Sequence, residues 1–244
     1  MEQFQESFGW TAMGITICSF LIPVFPFLNV IKGKLNYENA PIIMVTSCYV
    51  NYFCWYVYGD MIFSIQIKYG YLIGSCIFGL LIVIYLYFEI KKYLVDSILN
   101  ALILISGTWA LYRALTIIID DDRVVGKICI GTTFIIFVSP IKVITKVIKE
   151  QNYTFIPICN CYLSFLYSVC WLVYGIFITD FYVTFPNAIG IIICLVQIFL
   201  YLNYKKKYPI IDERDFNSTI GIETTPNEEE IKKDAIKMGE ITDS

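Results

Sequence analysis

Long apolar runs alternate with short polar connecting segments along this chain. Seven runs are separated in this way, and they cover residues 8–31, 41–59, 70–90, 97–119, 124–147, 157–177 and 182–203. Runs of about 20 residues are long enough to cross a hydrocarbon layer of roughly 30 Å as an α-helix. Because backbone polar groups find no water inside a bilayer, each run is predicted to be a helix.

The composition agrees with a membrane protein. Hydrophobic residues make up 57% of the chain and charged residues only 16%, and the mean hydropathy is +0.65. A soluble domain is about half apolar and a quarter charged. We therefore expect an all-α, multi-pass integral membrane protein that contacts the lipid bilayer along most of its length. After Tyr204 the sequence becomes polar and charged, which predicts a disordered tail over 205–244.

The lysines predict the orientation of the helices. Most of them follow the first, third, fifth and seventh runs or lie close to the end of one: Lys32, Lys34, Lys91, Lys92, Lys142, Lys146, Lys149, Lys205, Lys206 and Lys207. The connecting segments on the opposite side of the membrane, and the helix ends next to them, hold Lys68, Arg123 and Lys127. Because cytoplasmic loops carry the excess of Lys and Arg, we expect the N-terminus outside or in a lumen and the C-terminal tail in the cytoplasm.

A six-residue word occurs twice, as CWYVYG at Cys54–Gly59 and as CWLVYG at Cys170–Gly175, 116 residues apart. The flanks match as well, since Pro41 and Pro157 each lie 18 residues before the glycine of their own copy. Further matches, with at most one residue of loop length between them, are Gly74 with Gly190, Tyr85 with Tyr201 and Pro23 with Pro140. Helices 1–3 and 5–7 are therefore predicted to be two copies of one unit.

An odd number of helices per copy determines the architecture. A unit of three helices leaves the membrane on the side opposite to its entry, so a directly fused second copy would be inverted. One linker helix restores its direction. We predict a first triple-helix repeat at 1–94, a linker helix at 95–122 and a second triple-helix repeat at 123–204. Parallel repeats that enclose a central site are a common transporter architecture.

On these residues the sequence resembles the SWEET family of sugar transporters. The resemblance covers about residues 8–204 and rests on the four matched prolines, on the two Trp-x-x-Tyr-Gly words, and on Pro186-Asn187-x-x-Gly190 followed by Gln197 and Tyr201. It implies facilitative uniport of a mono- or small oligosaccharide by alternating access, without a cofactor. It also implies a sugar partner, for which a glucose-like hexose is favoured, and a homo-oligomer. The plasma membrane is the favoured location, with the Golgi as the other possibility.

The resemblance also assigns roles to individual residues. It places Asn187, Trp171 and Trp55 against the substrate, where an amide bonds sugar hydroxyls and an indole face packs on a pyranose ring. The position that matches Asn187 in the first repeat is Tyr71, where the family has Asn. Tyr71 is therefore also predicted to contact the substrate, by a phenolic hydrogen bond, while its ring narrows the pocket. Other readings stay open, namely a helix–helix bond for Asn187 and interfacial anchoring for the tryptophans.

Gates follow from the same resemblance. Pro23, Pro41, Pro140 and Pro157 are implied hinges of the inner gate, although Pro41 and Pro157 are also ordinary helix starters. Tyr58, Tyr174 and Asp180 are the implied outer gate, and interfacial tyrosines are the alternative reading. Residue 64, which matches Asp180, is a serine. A hydroxyl–carboxylate contact is therefore expected in only one repeat.

Several functions are disfavoured by what the sequence lacks. The chain has no histidine, no nucleotide-binding loop, no basic nucleic-acid surface and no carboxylate in the middle of an apolar run. A proton relay in a bilayer usually needs such a group, so we expect neither a proton-coupled pump nor an enzyme nor a metal site. Two alternatives remain open. One is an amino-acid carrier of the PQ-loop type, although Ile42 and Ile158 follow the prolines where that type has Gln. The other is a seven-helix receptor, which would not show the duplication.

Overall fold

The computed structural model describes residues 2–34, 36, 41–90, 93–119 and 121–207. The predicted tail at 205–244 lies outside these residues except for Lys205–Lys207, the last turn of the final helix. Helices up to Tyr204 form one compact unit. Within the described ranges there are eight α-helices: α1 (Glu2–Phe20), α2 (Val24–Ile31), α3 (Ile42–Met61), α4 (Ile65–Ile90), α5 (Leu94–Arg113), α6 (Asp122–Glu150), α7 (Ile158–Phe177) and α8 (Phe181–Lys207).

The first apolar run consists of two helices, separated by a short turn just before Pro23. α1 ends at Phe20, and Pro23 begins α2 as its N-cap. Between them the N–H of Leu21 bonds the carbonyl of Cys18 at 3.2 Å, and the N–H of Val24 bonds the carbonyl of Leu21 at 3.1 Å. These bonds span three residues instead of four, because a proline has no N–H to continue the α-helical ladder.

The matched proline of the second repeat has a different effect. Pro140 lies inside α6, which runs without a break from Asp122 to Glu150. Asp121 caps the start of α6 by accepting the N–H of Arg123 at 2.9 Å. The two repeats therefore share their sequence pattern but differ in their first helix.

The remaining runs are helical, with ends that differ from the prediction by a few residues. α4 begins five residues earlier than predicted, and the linker run becomes α5 followed by a π-helical turn at Ala114–Ile119. Five helical stretches are long and apolar enough to cross a membrane: Ile65–Ile90, Ser97–Ile117, Asp122–Glu150, Ile158–Phe177 and Phe181–Lys207. At most 33% of each apolar window is buried inside the protein, so most of these surfaces face outward, as a lipid environment requires.

The glycine of each repeated word allows two helices to touch. A Cβ built on Gly59 would lie 2.5 Å from the backbone nitrogen of Lys68 in α4, and one built on Gly175 would lie 3.0 Å from that of Thr184 in α8. Real Cβ atoms do not come as close as 2.5 Å. The word therefore ends in Gly because α3 and α4, like α7 and α8, approach backbone to backbone at this level.

The turns that follow these glycines have the same geometry in both repeats. Phe63 and Thr179 are the left-handed residues, with φ of 57° and 56°. Just after them, the N–H of Ser64 bonds the carbonyl of Gly59 at 2.9 Å, and that of Asp180 bonds Gly175 at 2.8 Å. This is the Schellman pattern of helix termination. We call the end of the bundle that holds these two turns the turn end, and the opposite end the proline end.

Candidate substrate cavity

A narrow cavity of about 70 Å³ lies inside the helical bundle. It is lined by α1, α3, α4, α6, α7 and α8, so both predicted repeats contribute to its wall. Most lining residues come as matched pairs of the two repeats: Thr16 with Thr133, Ser19 with Ile136, Phe20 with Phe137, Asn51 with Tyr167, Tyr52 with Ser168 and Tyr71 with Asn187. The cavity therefore lies where a two-fold relation between the repeats would place its axis.

Both tryptophans of the repeated word are buried beside this cavity. Trp55 is 4% exposed and Trp171 is 1% exposed, so neither is an anchor at the lipid interface. The indole N–H of Trp55 donates to the Thr133 hydroxyl at 3.1 Å, and that of Trp171 donates to the Thr16 hydroxyl at 2.8 Å. Each tryptophan thus bonds a threonine of the other repeat.

These two threonines were not identified from the sequence. Each precedes its matched proline by seven residues, Thr16 before Pro23 and Thr133 before Pro140. That equal spacing was the available signal. In both repeats the threonine hydroxyl also donates to the carbonyl four residues earlier in its own helix, at 2.7 Å for Thr16 and 2.8 Å for Thr133.

A further bond between the repeats involves Asn51 on α3. Its amide nitrogen donates to the hydroxyls of Thr132 and Thr133 at 2.8 and 2.9 Å. The matched residue in the second repeat is Tyr167, which also lines the cavity. The second repeat therefore has an aromatic ring at the position where the first repeat has this amide bridge.

Tyr71 lies between the two tryptophans. Its ring is stacked on Trp55 with centroids 5.7 Å apart and planes 24° apart, and on Trp171 with centroids 5.8 Å apart and planes 23° apart. Asn187, its counterpart, is a much smaller side chain whose amide nitrogen bonds the carbonyl of Val183 at 2.8 Å. Because that bond uses one of the two N–H groups, the carbonyl oxygen and the second N–H of the Asn187 side chain are left for a ligand.

The cavity is closed toward the turn end by a first cross-repeat contact. The hydroxyl of Tyr58 donates to Oδ2 of Asp180 at 2.6 Å, a distance typical of a hydroxyl bound to a carboxylate. The other carboxylate oxygen, Oδ1, accepts the N–H groups of Tyr182 and Val183 at 2.7 and 3.2 Å. Asp180 is thus the N-cap of α8, and capping holds it in place to receive Tyr58.

A second contact mirrors the first in position, but a serine hydroxyl takes the place of the carboxylate. The hydroxyls of Tyr174 and Ser64 lie 2.8 Å apart, and Tyr174 also bonds Oε1 of Gln66 at 3.2 Å. Ser64 caps α4 by accepting the N–H of Ile67 at 3.3 Å, as Asp180 caps α8. The two contacts, which we call the Asp180 latch and the Ser64 latch, are equivalent in position and differ in charge.

A polar vestibule of about 600 Å³ lies beyond the latches at the turn end. The starts of α1 and α6 and both turns line it, and its charged side chains are Glu6, Asp122, Arg123 and Asp180. The latches separate this vestibule from the cavity. The arrangement is that of a cavity whose connection to this vestibule is closed.

Comparisons with known proteins connect this geometry to a family. Residues 123–208 match the family model described as "Sugar efflux transporter for intercellular exchange". The chain is 27% identical to the bidirectional sugar transporter SWEET13 of Oryza sativa subsp. japonica, over 85% of this chain and 71% of the relative. It is 25% identical to bidirectional sugar transporter SWEET14 of Arabidopsis thaliana, over 88% of this chain and 79% of the relative.

A solved structure shares the fold. The structure described as that of a eukaryotic SWEET transporter at 3.7 Å resolution superposes with a TM-score of 0.74 at 22% sequence identity, covering 83% of this chain and 97% of the other. This chain is thus similar to SWEET transporters in sequence over most of its length and in fold. Its fold is accordingly the seven-helix membrane fold, in which α1 and α2 together form the first helix and α5 with its π-helical turn forms the linker.

The four matched prolines of this chain occupy different positions in its helices. Pro23 begins α2 after the break, Pro140 lies inside α6, and Pro41 and Pro157 are the N-caps of α3 and α7. Their roles as hinges stay a prediction. The described residues contain no group of three or more His, Cys, Asp or Glu side chains that could hold a metal ion.

Proposed function

We propose that this chain is a facilitative uniporter that carries a mono- or small oligosaccharide across a membrane by alternating access. The supporting observation is the cavity between the repeats, lined by matched residues and separated from the turn-end vestibule by two latches. Curated relatives are named bidirectional sugar transporters, and the family model is described by sugar efflux. A carrier that works in both directions needs two such gates and no energy input.

The chemistry of the cavity supports an uncharged, hydroxyl-bearing substrate. No Asp, Glu, Lys or Arg is among the described residues that line it, whereas hydroxyl and amide groups and flat rings are. We propose that the carbonyl oxygen of Asn187 accepts a sugar hydroxyl and that the indole faces of Trp55 and Trp171 pack on the sugar ring. A cavity this narrow favours a glucose-like hexose over larger sugars.

The gates follow from the same arrangement. We propose that the Asp180 and Ser64 latches form the outer gate and that Pro23, Pro41, Pro140 and Pro157 permit bending at the proline end. In that case the structure corresponds to a state closed on the outside. The repeats at 1–94 and 123–204 would rock against each other, with the linker at 95–122 between them.

The orientation rests on charge. α1 begins at the vestibule, as Gln5 and Glu6 line it, and α8 ends with Lys205–Lys207. Because cytoplasmic ends carry the lysine excess, we propose that the turn end faces outside or a lumen and that the tail is cytoplasmic. The plasma membrane is the proposed location and a homo-oligomer the proposed assembly. Chemical cross-linking in native membranes tests the assembly.

Radiotracer uptake into proteoliposomes tests the function. The purified chain is expected to accumulate glucose down its gradient without any ion gradient, and Asn187→Ala is expected to lower uptake about tenfold, since one hydrogen bond to a ligand is lost. Asn203→Ala is the matched control, because Asn203 is an exposed residue of the same helix. Uptake that requires an ion gradient excludes the uniport mechanism. Competition by amino acids but by no sugar supports the PQ-loop-type carrier instead.

A further inference from the structure

Tyr71 occupies the slot in which a sugar ring would stack. The ring lies between Trp55 and Trp171, nearly parallel to both, with centroid distances of 5.7 and 5.8 Å. From this, and resting on the proposed function, we infer that Tyr71 is a built-in competitor: its ring fills the tryptophan slot of the empty carrier, and a substrate ring binds only by displacing it.

A single slot cannot hold two rings. Offset aromatic rings stack with centroids 4.5–7 Å apart, and both Tyr71 distances fall in this range. The flat C–H face of a pyranose ring would take the same kind of position between the indoles. The cavity that remains beside Tyr71 is only about 70 Å³, so substrate and tyrosine compete for one space.

Tyr71 is held by packing contacts and not by a side-chain hydrogen bond, which allows it to leave the slot. Besides the tryptophans, Tyr52 packs against it with centroids 5.8 Å apart. Among the described residues its hydroxyl has no hydrogen-bond partner, whereas Tyr58 and Tyr174 are fixed by the latches. Displacing the ring of Tyr71 therefore breaks no hydrogen bond of its side chain.

The competitor is present in one repeat only. The matched residue Asn187 is short, and its amide nitrogen is bound to its own helix. One repeat thus supplies a polar group for the sugar, while the other supplies a ring that occupies the sugar position. The apparent affinity for the substrate is proportional to the fraction of carriers whose slot is free. By filling the slot, Tyr71 lowers this affinity and limits the size of the substrate.

Two substitutions at one position separate this role from others. Tyr71→Asn removes the ring, and Tyr71→Phe keeps the ring but removes the hydroxyl. A competitor predicts that Tyr71→Asn lowers the half-saturating glucose concentration about fivefold or more and allows disaccharide uptake, while Tyr71→Phe behaves as the unchanged chain does. Tyr69→Asn is the matched control, because Tyr69 lies two residues earlier on α4 and is 48% exposed.

A second measurement needs no sugar. The other two tryptophans, Trp10 and Trp109, are 47% and 66% exposed, and replacing both by Phe leaves fluorescence from the slot alone. In that background, Tyr71→Asn is expected to increase quenching by acrylamide, a neutral molecule small enough to enter the vacated slot. Tyr71→Phe and Tyr69→Asn are expected to leave quenching unchanged.

The outcomes distinguish the two proposals. If the unchanged chain transports none of the sugars tested, the proposed function falls, and the quenching result alone then decides whether Tyr71 fills the slot. If sugar is transported but Tyr71→Phe weakens binding as much as Tyr71→Asn, the hydroxyl is a substrate ligand and the competitor is excluded. Unchanged affinity, size range and quenching in Tyr71→Asn overturn the inference as well.

Discussion

The indole N–H of Trp171 donates a 2.8 Å hydrogen bond to the hydroxyl of Thr16, which lies 155 residues earlier in the chain. Trp55 forms the corresponding bond with Thr133. One pair joins α7 to α1 and the other joins α3 to α6. The first aromatic residue of the repeated word therefore connects one repeat to the other in both copies, and Trp55 also lines the cavity.

This connection predicts an energetic coupling between Trp171 and Thr16. A double-mutant cycle of Trp171→Phe and Thr16→Val is expected to give a coupling of about 0.6–1.7 kcal/mol, the range of interhelical hydrogen bonds in membranes. Thermal or denaturant unfolding in detergent measures it. Trp171→Phe paired with Ser47→Val is the control, since the Ser47 hydroxyl bonds only its own helix, at the carbonyl of Ile43. Coupling that is equal in both cycles would contradict the assignment.

The Asp180 latch predicts an effect of single-atom changes. Tyr58→Phe removes the hydroxyl, and Asp180→Asn keeps a side-chain oxygen to cap α8 but removes the charge. Hydrogen bonds to charged groups are worth about 1.5–3 kcal/mol, so both variants are expected to open the turn end at least tenfold more often. Faster hydrogen exchange of the amides at 178–183 is the measurement.

The neighbouring Tyr56→Phe serves as the control for the latch, because Tyr56 is on the same helix and takes no part in either latch. Its exchange at 178–183 is expected to match that of the unchanged chain. Protection that stays intact in Tyr58→Phe would show that the 2.6 Å bond does not hold the turns together.

Ser64 predicts the opposite effect. Ser64→Asp puts a carboxylate opposite Tyr174, at the position that matches Asp180, and Asp is as good a helix N-cap as Ser. Because a hydroxyl binds a carboxylate about twice as strongly as it binds a neutral acceptor, the turn end is expected to open less often and initial sugar uptake to fall several-fold. Ser64→Ala is expected to speed hydrogen exchange at 62–66. Faster uptake by Ser64→Asp would refute the equivalence of the latches.

The glycine of the repeated word predicts a change in stability. Gly59→Ala puts a Cβ 2.5 Å from the Lys68 backbone nitrogen, and such overpacking costs about 1–3 kcal/mol. Gly131→Ala is the control within a helix, since nothing lies within 4 Å of its added Cβ. That substitution is expected to stabilise α6 by up to about 1 kcal/mol. Melting temperatures in detergent should therefore move in opposite directions.

The sequence was sufficient to predict the duplication, the helical runs and the tryptophan pair. The repeated word is visible in the amino-acid sequence itself, so Trp55 and Trp171 could be matched from the sequence alone. Their partners could not, because Thr16 and Thr133 lie in ordinary apolar surroundings and their role depends on which helices meet. The Ser64 latch was not predicted either, because a second carboxylate was looked for at this position and the serine hydroxyl was not considered as a partner for Tyr174.

Local helix geometry was also beyond the sequence pattern. Pro23 and Pro140 match in position, yet only Pro23 lies at a break between two helices. A second proline, Pro26, comes three residues after Pro23, whereas α6 has no proline three residues after Pro140. Two missing N–H groups in adjacent turns weaken the ladder more than one does, and a comparison of single positions cannot register that difference.

The close approach at Gly59 and Gly175 restricts how the molecule can move. Where two backbones touch with no side chain between them, neither helix can slide or rotate past the other without collision. We therefore expect α3 to move with α4 as one rigid body, and α7 to move with α8 as another. Relative motion is then expected at the interfaces between the two repeats, which Trp55, Trp171 and the two latches join. The hydrogen bonds at these interfaces can be exchanged one at a time for bonds to water or to sugar.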